Sequence, residues 1–417
     1  MNKRRTLFII LLLLVSKLPA YMTIGNEVFL KILVKLDNDI NLTTDGLVFV
    51  NGSEYQSKSL RIHNLSQGMI TLKLDRETFK DEAYKLEISI TGNFYLAGNN
   101  KQQFSGDIHI REHKGKIAVM NLMNLESYTR FVVMSEIGSG APAEALKSQA
   151  IIARSYAIYE SMKNNRYPWD LRADTYSQVF NTSKKVPQNV IDASNATAYM
   201  LVTHQGQVAF TPFNSYGGGY LANVEQVWGG KGYPYLKDKA DIDYLKGKDM
   251  STYRNVEDWI KKDPAKVYPH YTKLPNWIKD SYQWKRTVAM NTVANRGKFS
   301  KVYSAKVDSR DNSGRINKIT FNTSQGKETI TSQDRIRAIL GGIPSTLAII
   351  KVSGNNFIIQ GKGYGHGVGF CQSGGYLKSY AGWDYSRIIK HYYPGCEITS
   401  DYFFDSTGKD ELEMLFD

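Results

Sequence analysis

The chain has 417 residues, of which 42% are hydrophobic and 22% charged, and its formal net charge at pH 7 is +13. This length allows two or three domains of ordinary size, and the hydrophobic content is sufficient for well-formed cores. Proline is scarce, and we find no low-complexity tract or fixed-period repeat, which excludes a disordered or solenoid protein. Two cysteines, Cys371 and Cys396, cannot build a disulfide framework in so long a chain, and the sequence leaves open whether they pair.

The first twenty residues have the pattern of a secretory signal peptide. Basic residues at positions 3–5 precede an apolar run over 7–15, which is well short of the ~20 residues that a membrane span needs. Leu18-Pro19-Ala20 then offers a small-residue cleavage site. We therefore predict export to the cell envelope, with residues 1–20 as a signal peptide or, alternatively, an uncleaved N-terminal anchor.

The charge of the remaining chain points to an anionic partner. Subtracting the four basic residues of the signal segment from +13 leaves +9. A secreted basic protein usually meets an anionic polymer. A cell-wall polymer outside the membrane fits the export signal better than nucleic acid does, so we expect no nucleic-acid partner.

The predicted elements change character along the chain. Residues 24–105 are expected to form a β-rich subdomain, because apolar residues alternate over 29–36, 69–74 and 84–90. Another strand is predicted at 117–122, after a hairpin turn at Lys114-Gly115-Lys116. A helical region follows over 121–163.

The second half mixes both kinds of element. We predict a helix at 187–199, a strand at 200–210, and an insertion with two short helical pieces at 237–280. Strands are expected again at 283–288 and 318–322, a helix at 332–341, and one or two helices after residue 371. The elements lack a regular βαβ rhythm, which favours an α+β fold with mixed antiparallel sheets.

The segment HIREH, residues 109–113, matches a zinc-peptidase pattern. That chemistry needs a helix, which places residues i and i+4 on one face. Here the pattern predicts a strand, along which His109 and His113 would be about 13 Å apart. We therefore expect no metal at this segment.

A glycine-rich segment near the C-terminus, GKGYGHGVG, does not have the G-x-G-x-x-G spacing of a dinucleotide loop in any register. Its glycines allow sharp bends and close approach to a ligand or another chain. His366 and Cys371 lie in this loop without an apparent orienting acid, so we favour a structural thiol beside a functional histidine over a nucleophile–base pair.

Glu136 lies just ahead of a long alanine-rich helix that is predicted to begin near Pro142 and to carry a narrow apolar stripe. A carboxylate there is either a cap near a helix start, where negative charge is mildly favourable, or part of a catalytic site. Two later glycine-rich loops, 213–230 and 361–375, carry hydrogen-bonding and stacking groups of the kind that a sugar chain needs. The spacing alone does not establish that these loops meet.

Three separated stretches together resemble the SpoIID/LytB family of cell-wall proteins. They are VVMSEIGSGAPAEALKSQAIIARSYA (132–157), FNSYGGGYLANVEQVWGGKGYPYL (213–236) and GKGYGHGVGFCQSGGYLKSYAGWDYSRIIKHYYPG (361–395). The resemblance covers roughly residues 100–400. It implies a catalytic domain at 106–400 that contains the signature helix and the insertion, followed by a C-terminal tail at 401–417.

The resemblance implies a lytic transglycosylase that acts on peptidoglycan strands stripped of stem peptides. In such an enzyme one carboxyl group protonates the leaving oxygen and then acts as a base toward the 6-hydroxyl of N-acetylmuramic acid, so no second carboxylate is required. Glu136 occupies the family's catalytic position. No cofactor and no metal are expected. Positions carried over as substrate-binding are Ser215, Tyr216, Gly217, Gly218, Trp228, Tyr364, His366 and Gln372.

The chain departs from the family pattern in several places. Some sporulation members carry a zinc-binding cysteine/histidine cluster where this chain reads ADTYSQVFN, so we predict no zinc there. Tyr216 stands where a smaller Ser or Cys is common in the family, and Cys371 stands where Ser is common. Arg154 and Tyr156 belong to the signature helix and are expected at least to pack or brace it.

Two other functions remain open from the sequence. Some relatives enhance a separate cell-wall amidase, so an amidase or peptidase partner is an alternative to catalysis. The β-rich N-terminal region could also make the chain an extracytoplasmic scaffold.

Overall fold

The computed structural model describes residues 22–24, 27–164, 166–173, 177–178, 182 and 185–400, without the side chains of 22–24 and 99–102. The predicted signal peptide and the predicted tail at 401–417 lie outside these residues. Within the described part, helices and strands are mixed in several sheets, which confirms the α+β prediction. None of the described helices combines the length and the apolar character needed to cross a membrane.

One large sheet forms the N-terminal region. Its strands are β1 Met22–Ile24, β2 Glu27–Asp37, β3 Asp39–Thr44, β4 Val48–Val50, β5 Ser53–Tyr55, β6 Ser59–Ser66, β7 Met69–Lys73, β8 Thr78–Glu82, β9 Ile88–Leu96, β10 Asn99–His113, β11 Lys116–Asn124 and β12 Leu171–Arg172. The main path runs β1-β2-β11-β10-β9-β3-β6-β7-β8, while β4 pairs with β9 and β5, and β12 runs parallel to β2. The sheet is otherwise antiparallel, as expected for strands that alternate between a buried and a solvated face.

Apolar alternation predicted several of these strands. Residues 29–36 lie in β2 and residues 69–73 in β7, and both place alternate side chains in the core. The strand predicted at 84–90 is wrong at its start, because Ala83–Lys85 form a single 3₁₀ turn and β9 begins only at Ile88. Strand β10 runs through the domain boundary predicted at 105/106, since it pairs with β9 on one side and β11 on the other.

The HIREH segment lies in the β10–β11 hairpin, as predicted. Lys114 and Gly115 both have positive φ at its turn, 52° and 75°. The burial of His109 lowers the pKa of its imidazole to about 4, and the charges of Arg111 and Lys31 act in the same direction. Among the described residues, no group of three or more His, Cys, Asp or Glu side chains could hold a metal ion.

Three helices follow the large sheet: α1 Leu125–Glu136, α2 Ala143–Lys163 and α3 Gln188–Asn195. Glu136 is the last residue of α1, inside the helical region predicted over 121–163, and it is therefore not a cap at the start of the next helix. Helix α2 is buried around most of its circumference instead of along one narrow stripe. Its N-terminal half, from Ala145 to Ile152, joins the core of the glycine-rich loops, and its C-terminal half, with Ala153, Ala157 and Ile158, joins the core under the large sheet. Because both cores share it, α2 fixes the sheet relative to the loops.

The remaining elements are short. They are β13 Leu201–His204, β14 Gln207–Val208, β15 Phe213–Asn214, β16 Tyr220–Leu221, α4 Val224–Trp228, β17 Lys239–Ala240, α5 Tyr253–Lys261, α6 Asn276–Tyr282, β18 Trp284–Ala289, α7 Met290–Gly297, β19 Val302–Arg310, β20 Ile316–Thr323, β21 Gly326–Ile330, α8 Gln333–Ile339, β22 Ala348–Ser353, β23 Asn356–Gly361, β24 Phe370–Cys371, α9 Gln372–Tyr380, α10 Tyr385–Tyr392 and β25 Glu397–Thr399. The predicted insertion contains α5 and most of α6, and the predicted helix at 332–341 is α8. A third core lies between the sheets β18-β23-β22 and β19-β20-β21 and helices α7 and α8.

Candidate functional site

Glu136 ends helix α1 at a partly exposed position. The helix begins where Asn124 accepts hydrogen bonds from the backbone N–H groups of Glu126 and Ser127, at 2.9 and 3.3 Å. After Glu136 the chain turns at Ile137, whose carbonyl oxygen accepts a 2.9 Å hydrogen bond from the hydroxyl of Tyr376 on α9. The turn that follows the candidate acid is therefore hydrogen-bonded to the C-terminal motif, the family-like stretch at residues 361–395.

Two tyrosine hydroxyls lie within the electrostatic reach of Glu136. Burial raises the pKa of Tyr128 well above its usual value, and the charges of Tyr156 and Glu136 raise it further. Burial also raises the pKa of Tyr156, with additional contributions from Glu160 and Glu136. Both phenols therefore stay protonated near neutral pH and can act as hydrogen-bond donors.

The two glycine-rich loops meet, which the sequence left open. Strands β15 and β24 pair in parallel, with Phe213 opposite Phe370. Beyond this pair, Tyr216 and Tyr364 exchange two backbone hydrogen bonds of 3.1 and 2.8 Å. The N–H of Ser373 also donates to the carbonyl oxygen of Ser215 at 3.0 Å. These bonds hold the loops as one layer.

The same layer contacts the signature helix. The amide of Gln372 donates to Oε1 of Gln149 on α2 at 3.1 Å, and both side chains are buried. Together with the Tyr376–Ile137 bond, this contact brings all three family-like stretches into one region.

The predicted substrate-binding residues divide by exposure. Trp228 and Tyr364 are 43% and 51% exposed, and Ser215 is half-buried. The ring of Tyr216 is 1% exposed, and Gln372 is 2% exposed. Side chains buried this deeply favour a packing role over the direct sugar contact expected from the sequence.

The burial of Tyr216 has a specific cause. Its ring stacks on Tyr282 of α6 at 3.9 Å between centroids, and its hydroxyl lies 2.6 Å from that of Tyr268. Tyr268 lies in the predicted insertion and Tyr282 follows it directly at the end of α6, and the sequence could not connect either to the loop. Gly217 and Gly218 are buried beside it, and a β-carbon at Gly218 would lie 2.6 Å from Leu347. The two glycines thus allow close packing of the loop.

His366 binds the backbone through both of its ring nitrogens. Nδ1 accepts from the N–H of Val368 at 3.0 Å, so Nε2 carries the proton and donates to the carbonyl oxygen of Phe213 at 2.9 Å. Burial lowers the pKa of His366 to about 3, despite the opposing effect of the Phe213 bond, which keeps this tautomer neutral. The ring lies 4.7 Å from that of Trp228, so the histidine supports an exposed indole.

Cys371 has the structural role that the sequence favoured. Its sulfur accepts hydrogen bonds from the N–H groups of Gly217 and Gly374, both at 3.3 Å. Burial raises the pKa of this thiol to about 11, which makes it a poor nucleophile. Cys396 is also a buried free thiol, so the two cysteines do not pair.

Arg315 is a site-supporting residue that sequence reasoning missed. Its side chain is fully buried and donates to the carbonyl oxygens of Gly217 and Tyr220 at 2.8 and 3.0 Å. A β-carbon at Gly367 would collide with the guanidinium, so both glycine-rich loops pack against the side chain of Arg315. Its partners are about a hundred positions away in the chain, and no local motif marks it.

Of the stretch compared with the zinc-binding members, Ala173, Ser177 and Gln178 are among the described residues. Ser177 Oγ accepts from the N–H of Arg172 at 3.1 Å. Gln178 is buried and accepts a 3.1 Å hydrogen bond from the Tyr128 hydroxyl. Residues 174–176 and 179–181 lie outside the described residues, so the absence of zinc there stays a prediction.

Comparison with known proteins gives two family matches and several relatives. The SpoIID model, described as "Stage II sporulation protein", matches residues 113–204, and a "Domain of unknown function (DUF8618)" matches residues 222–369. An uncharacterized protein of Brachyspira hyodysenteriae is 31% identical over 304 residues, which cover 72% of this chain and 73% of that protein.

Two named proteins of Bacillus subtilis are also similar. The amidase enhancer is 27% identical over 64% of this chain and 40% of its own length. Stage II sporulation protein D is 25% identical over 66% of this chain and 74% of its own length. The shared sequence, together with the SpoIID match over α1 and α2, shows that the chain belongs to the SpoIID family.

Proposed function

We propose that the protein is an exported lytic transglycosylase that cleaves the bond between N-acetylmuramic acid and N-acetylglucosamine in peptide-stripped peptidoglycan strands. The observation that carries this proposal is the position of Glu136. The residue that the family resemblance selects as the catalytic acid lies at a partly exposed helix end, and the carbonyl oxygen of the next residue, Ile137, accepts a hydrogen bond from Tyr376 of the C-terminal family-like stretch.

The proposed reaction uses one carboxyl group twice. Glu136 donates its proton to the glycosidic oxygen as the bond to the anomeric carbon breaks, which releases the N-acetylglucosamine end. The resulting carboxylate then accepts the proton of the muramic acid 6-hydroxyl as that oxygen bonds to the anomeric carbon, which gives the 1,6-anhydro product. The carboxyl group ends in its starting form, and water is not consumed.

The surroundings of Glu136 suit a carboxyl group that must begin protonated. The C-terminal end of a helix carries the negative end of the macrodipole, which disfavours an ionised carboxylate there. The largely buried Tyr156 remains protonated and can donate a hydrogen bond when the carboxylate forms, whereas the hydroxyl of Tyr128 already donates to Gln178. These features assist both stages of the cycle.

Other acids of α1 and α2 are less suited to this role. Glu126 accepts two hydrogen bonds from the buried Arg154, at 2.7 and 2.8 Å. Glu160 lies 3.5 Å from the ammonium of Lys163, and its side chain is 13% exposed. Glu160 is close enough to Tyr156 to raise the pKa of that phenol, so it provides a matched control for Glu136.

The test is digestion of purified denuded glycan strands, with products separated by mass. The unmodified protein should release fragments with 1,6-anhydro ends. Glu136→Gln should abolish release, while Glu160→Gln should keep at least a third of it. Equal activity of the unmodified protein and Glu136→Gln, or no anhydro product from either, would refute the proposal.

A second candidate function follows from the similarity to a protein named amidase enhancer. In this case the chain would bind a cell-wall amidase and increase its rate without cleaving glycan. The two candidate functions are distinguished by adding the Glu136→Gln variant to a cell-wall amidase that acts on intact peptidoglycan and measuring the amidase rate. Full stimulation by this variant, without anhydro ends, would favour the enhancer function.

A further inference from the structure

The end of the predicted insertion supplies an exposed tryptophan next to the turn that carries Glu136. The indole of Trp277, on α6, is 53% exposed. A β-carbon added to Gly138 would lie 3.9 Å from its Cζ2 atom. Gly138 is two residues after Glu136, and two residues span at most about 7 Å. The indole therefore borders the segment that carries the candidate acid.

Exposure of a single apolar side chain is ordinary on a protein surface and carries no argument by itself. The distribution of the six tryptophans is more informative. Trp169, Trp259 and Trp284 are buried and Trp383 is half-buried. The two exposed ones are Trp228, against His366 of the glycine-rich loop, and Trp277, against the Glu136 turn. Both therefore border the candidate site.

Helix α6 holds Trp277 at a fixed position relative to the loops. Ile278 and Tyr282 bury the inner face of the helix. Tyr282 stacks on Tyr216, whose backbone is bonded to that of the exposed Tyr364. One short helix thus connects the Glu136 turn with the layer of glycine-rich loops. Because this support already fixes the backbone of Trp277, the indole can contact a ligand without a loss of backbone mobility on binding.

Positive charge lies in the same neighbourhood. Lys273, just ahead of α6, is exposed and lies 5.5 Å from the ring centroid of Tyr380. Tyr380 belongs to α9, the helix whose Tyr376 bonds the carbonyl of Ile137. An exposed indole beside the Glu136 turn and an ammonium near the helix that is bonded to this turn complement a chain that presents apolar ring faces and carboxylates.

We infer that Trp277 is a stacking platform for a sugar ring of the glycan strand next to the bond that Glu136 cleaves, with Lys273 available to the lactyl carboxylate of N-acetylmuramic acid. This inference rests on the proposed function and assigns the insertion a role in it. The indole presents a flat apolar face to the C–H groups of a pyranose, while its rim leaves the sugar hydroxyls in water. The insertion therefore contributes substrate affinity, whereas the acid chemistry stays with Glu136.

The test measures binding of a peptide-free octasaccharide of alternating N-acetylglucosamine and N-acetylmuramic acid by titration calorimetry. All variants carry Glu136→Gln, so that the ligand stays intact. Trp277→Ala should weaken binding about tenfold, as expected from losing the apolar contact of one ring face, and Trp277→Phe should weaken it less. The control is Tyr303→Ala, which removes a 47% exposed aromatic ring from the sheet β19-β20-β21. It should bind like the Glu136→Gln parent.

The possible failures are distinguishable. If Trp277→Ala and Trp277→Phe both bind as tightly as the parent, the platform is refuted while glycan binding stands. If the parent itself does not bind the octasaccharide, both the proposed function and the platform are refuted. Loss of amidase stimulation in Trp277→Ala with unchanged glycan binding would assign the indole to a protein partner and would also refute the inference. If Trp277→Ala does not fold, the affinity of Trp277→Phe for the octasaccharide still tests the inference.

Discussion

Removal of one partner of the buried ion pair between Arg154 and Glu126 should strongly destabilise the region that carries Glu136. Arg154 is fully buried, and its Nε and Nη2 donate to the two carboxylate oxygens at 2.7 and 2.8 Å. Its Nη1 donates to the carbonyl oxygen of Met200 at 3.0 Å, and the N–H of Tyr199 donates to the same carboxylate at 3.1 Å. The pair therefore joins α1, α2 and the turn before β13.

We expect Arg154→Met to lower the free energy of unfolding by about 3–5 kcal/mol, because it leaves a largely buried carboxylate without its cation. Arg154→Lys should also be destabilising, because an ammonium cannot reproduce the two parallel bonds of a guanidinium. The double variant Glu126→Leu/Arg154→Met should be less destabilised than Arg154→Met alone, since it removes the uncompensated charge.

Urea denaturation of the mature chain, followed by circular dichroism, measures these differences as a double-mutant cycle. Lys246→Met is the control, because its partner Asp243 and the lysine are both highly exposed. Such exposed pairs contribute about 0–1 kcal/mol. An Arg154→Met variant as stable as Lys246→Met, or a double variant destabilised by the full sum of the single changes, would contradict this account.

Three further outcomes can be checked independently. Burial raises the pKa of Asp170 to about 7, so the stability that its neutral carboxyl group contributes is present at low pH and is lost as the pH rises through 7. Asp170→Asn should therefore be more stable than the unmodified protein at pH 8 and gain little stability at pH 4. An equal difference in the free energy of unfolding at the two pH values would argue against a buried neutral carboxyl group. Because burial lowers the pKa of His366 from 6.5 to about 3, protonation favours the unfolded chain and stability should fall as the pH drops below 6.5. The denaturation midpoint of His366→Asn should therefore depend less on pH between 7 and 4.5 than that of the unmodified protein. The same dependence of the midpoint on pH in both proteins would count against a buried neutral imidazole. Burial raises the pKa values of Cys371 and Cys396 to about 11 and 12. Both thiols should therefore react slowly with a thiol reagent at pH 8 in the native protein and quickly in denaturant. Rapid labelling of the native protein, or no labelling after unfolding, would disagree with two buried free thiols.

The sequence by itself determined the features that depend on neighbouring residues. Alternation predicted β2, β7 and β11, because a strand with one buried face repeats every two residues. The same argument placed HIREH in a hairpin. Helical spacing predicted α2, and the order of three separated motifs was enough to indicate the family and to select Glu136 as the candidate acid.

Only the tertiary structure decided how these parts meet. Asn214 donates to carbonyls more than 150 positions away, and Arg315 reaches across about a hundred positions to the glycine-rich loop. No local period reports such contacts, since they depend on which surfaces pack together. For the same reason Tyr216 could not be recognised as buried before Tyr282 was seen to stack on it. Glu136 could be selected from its neighbours in the chain, but its surroundings are made by segments far from it in sequence.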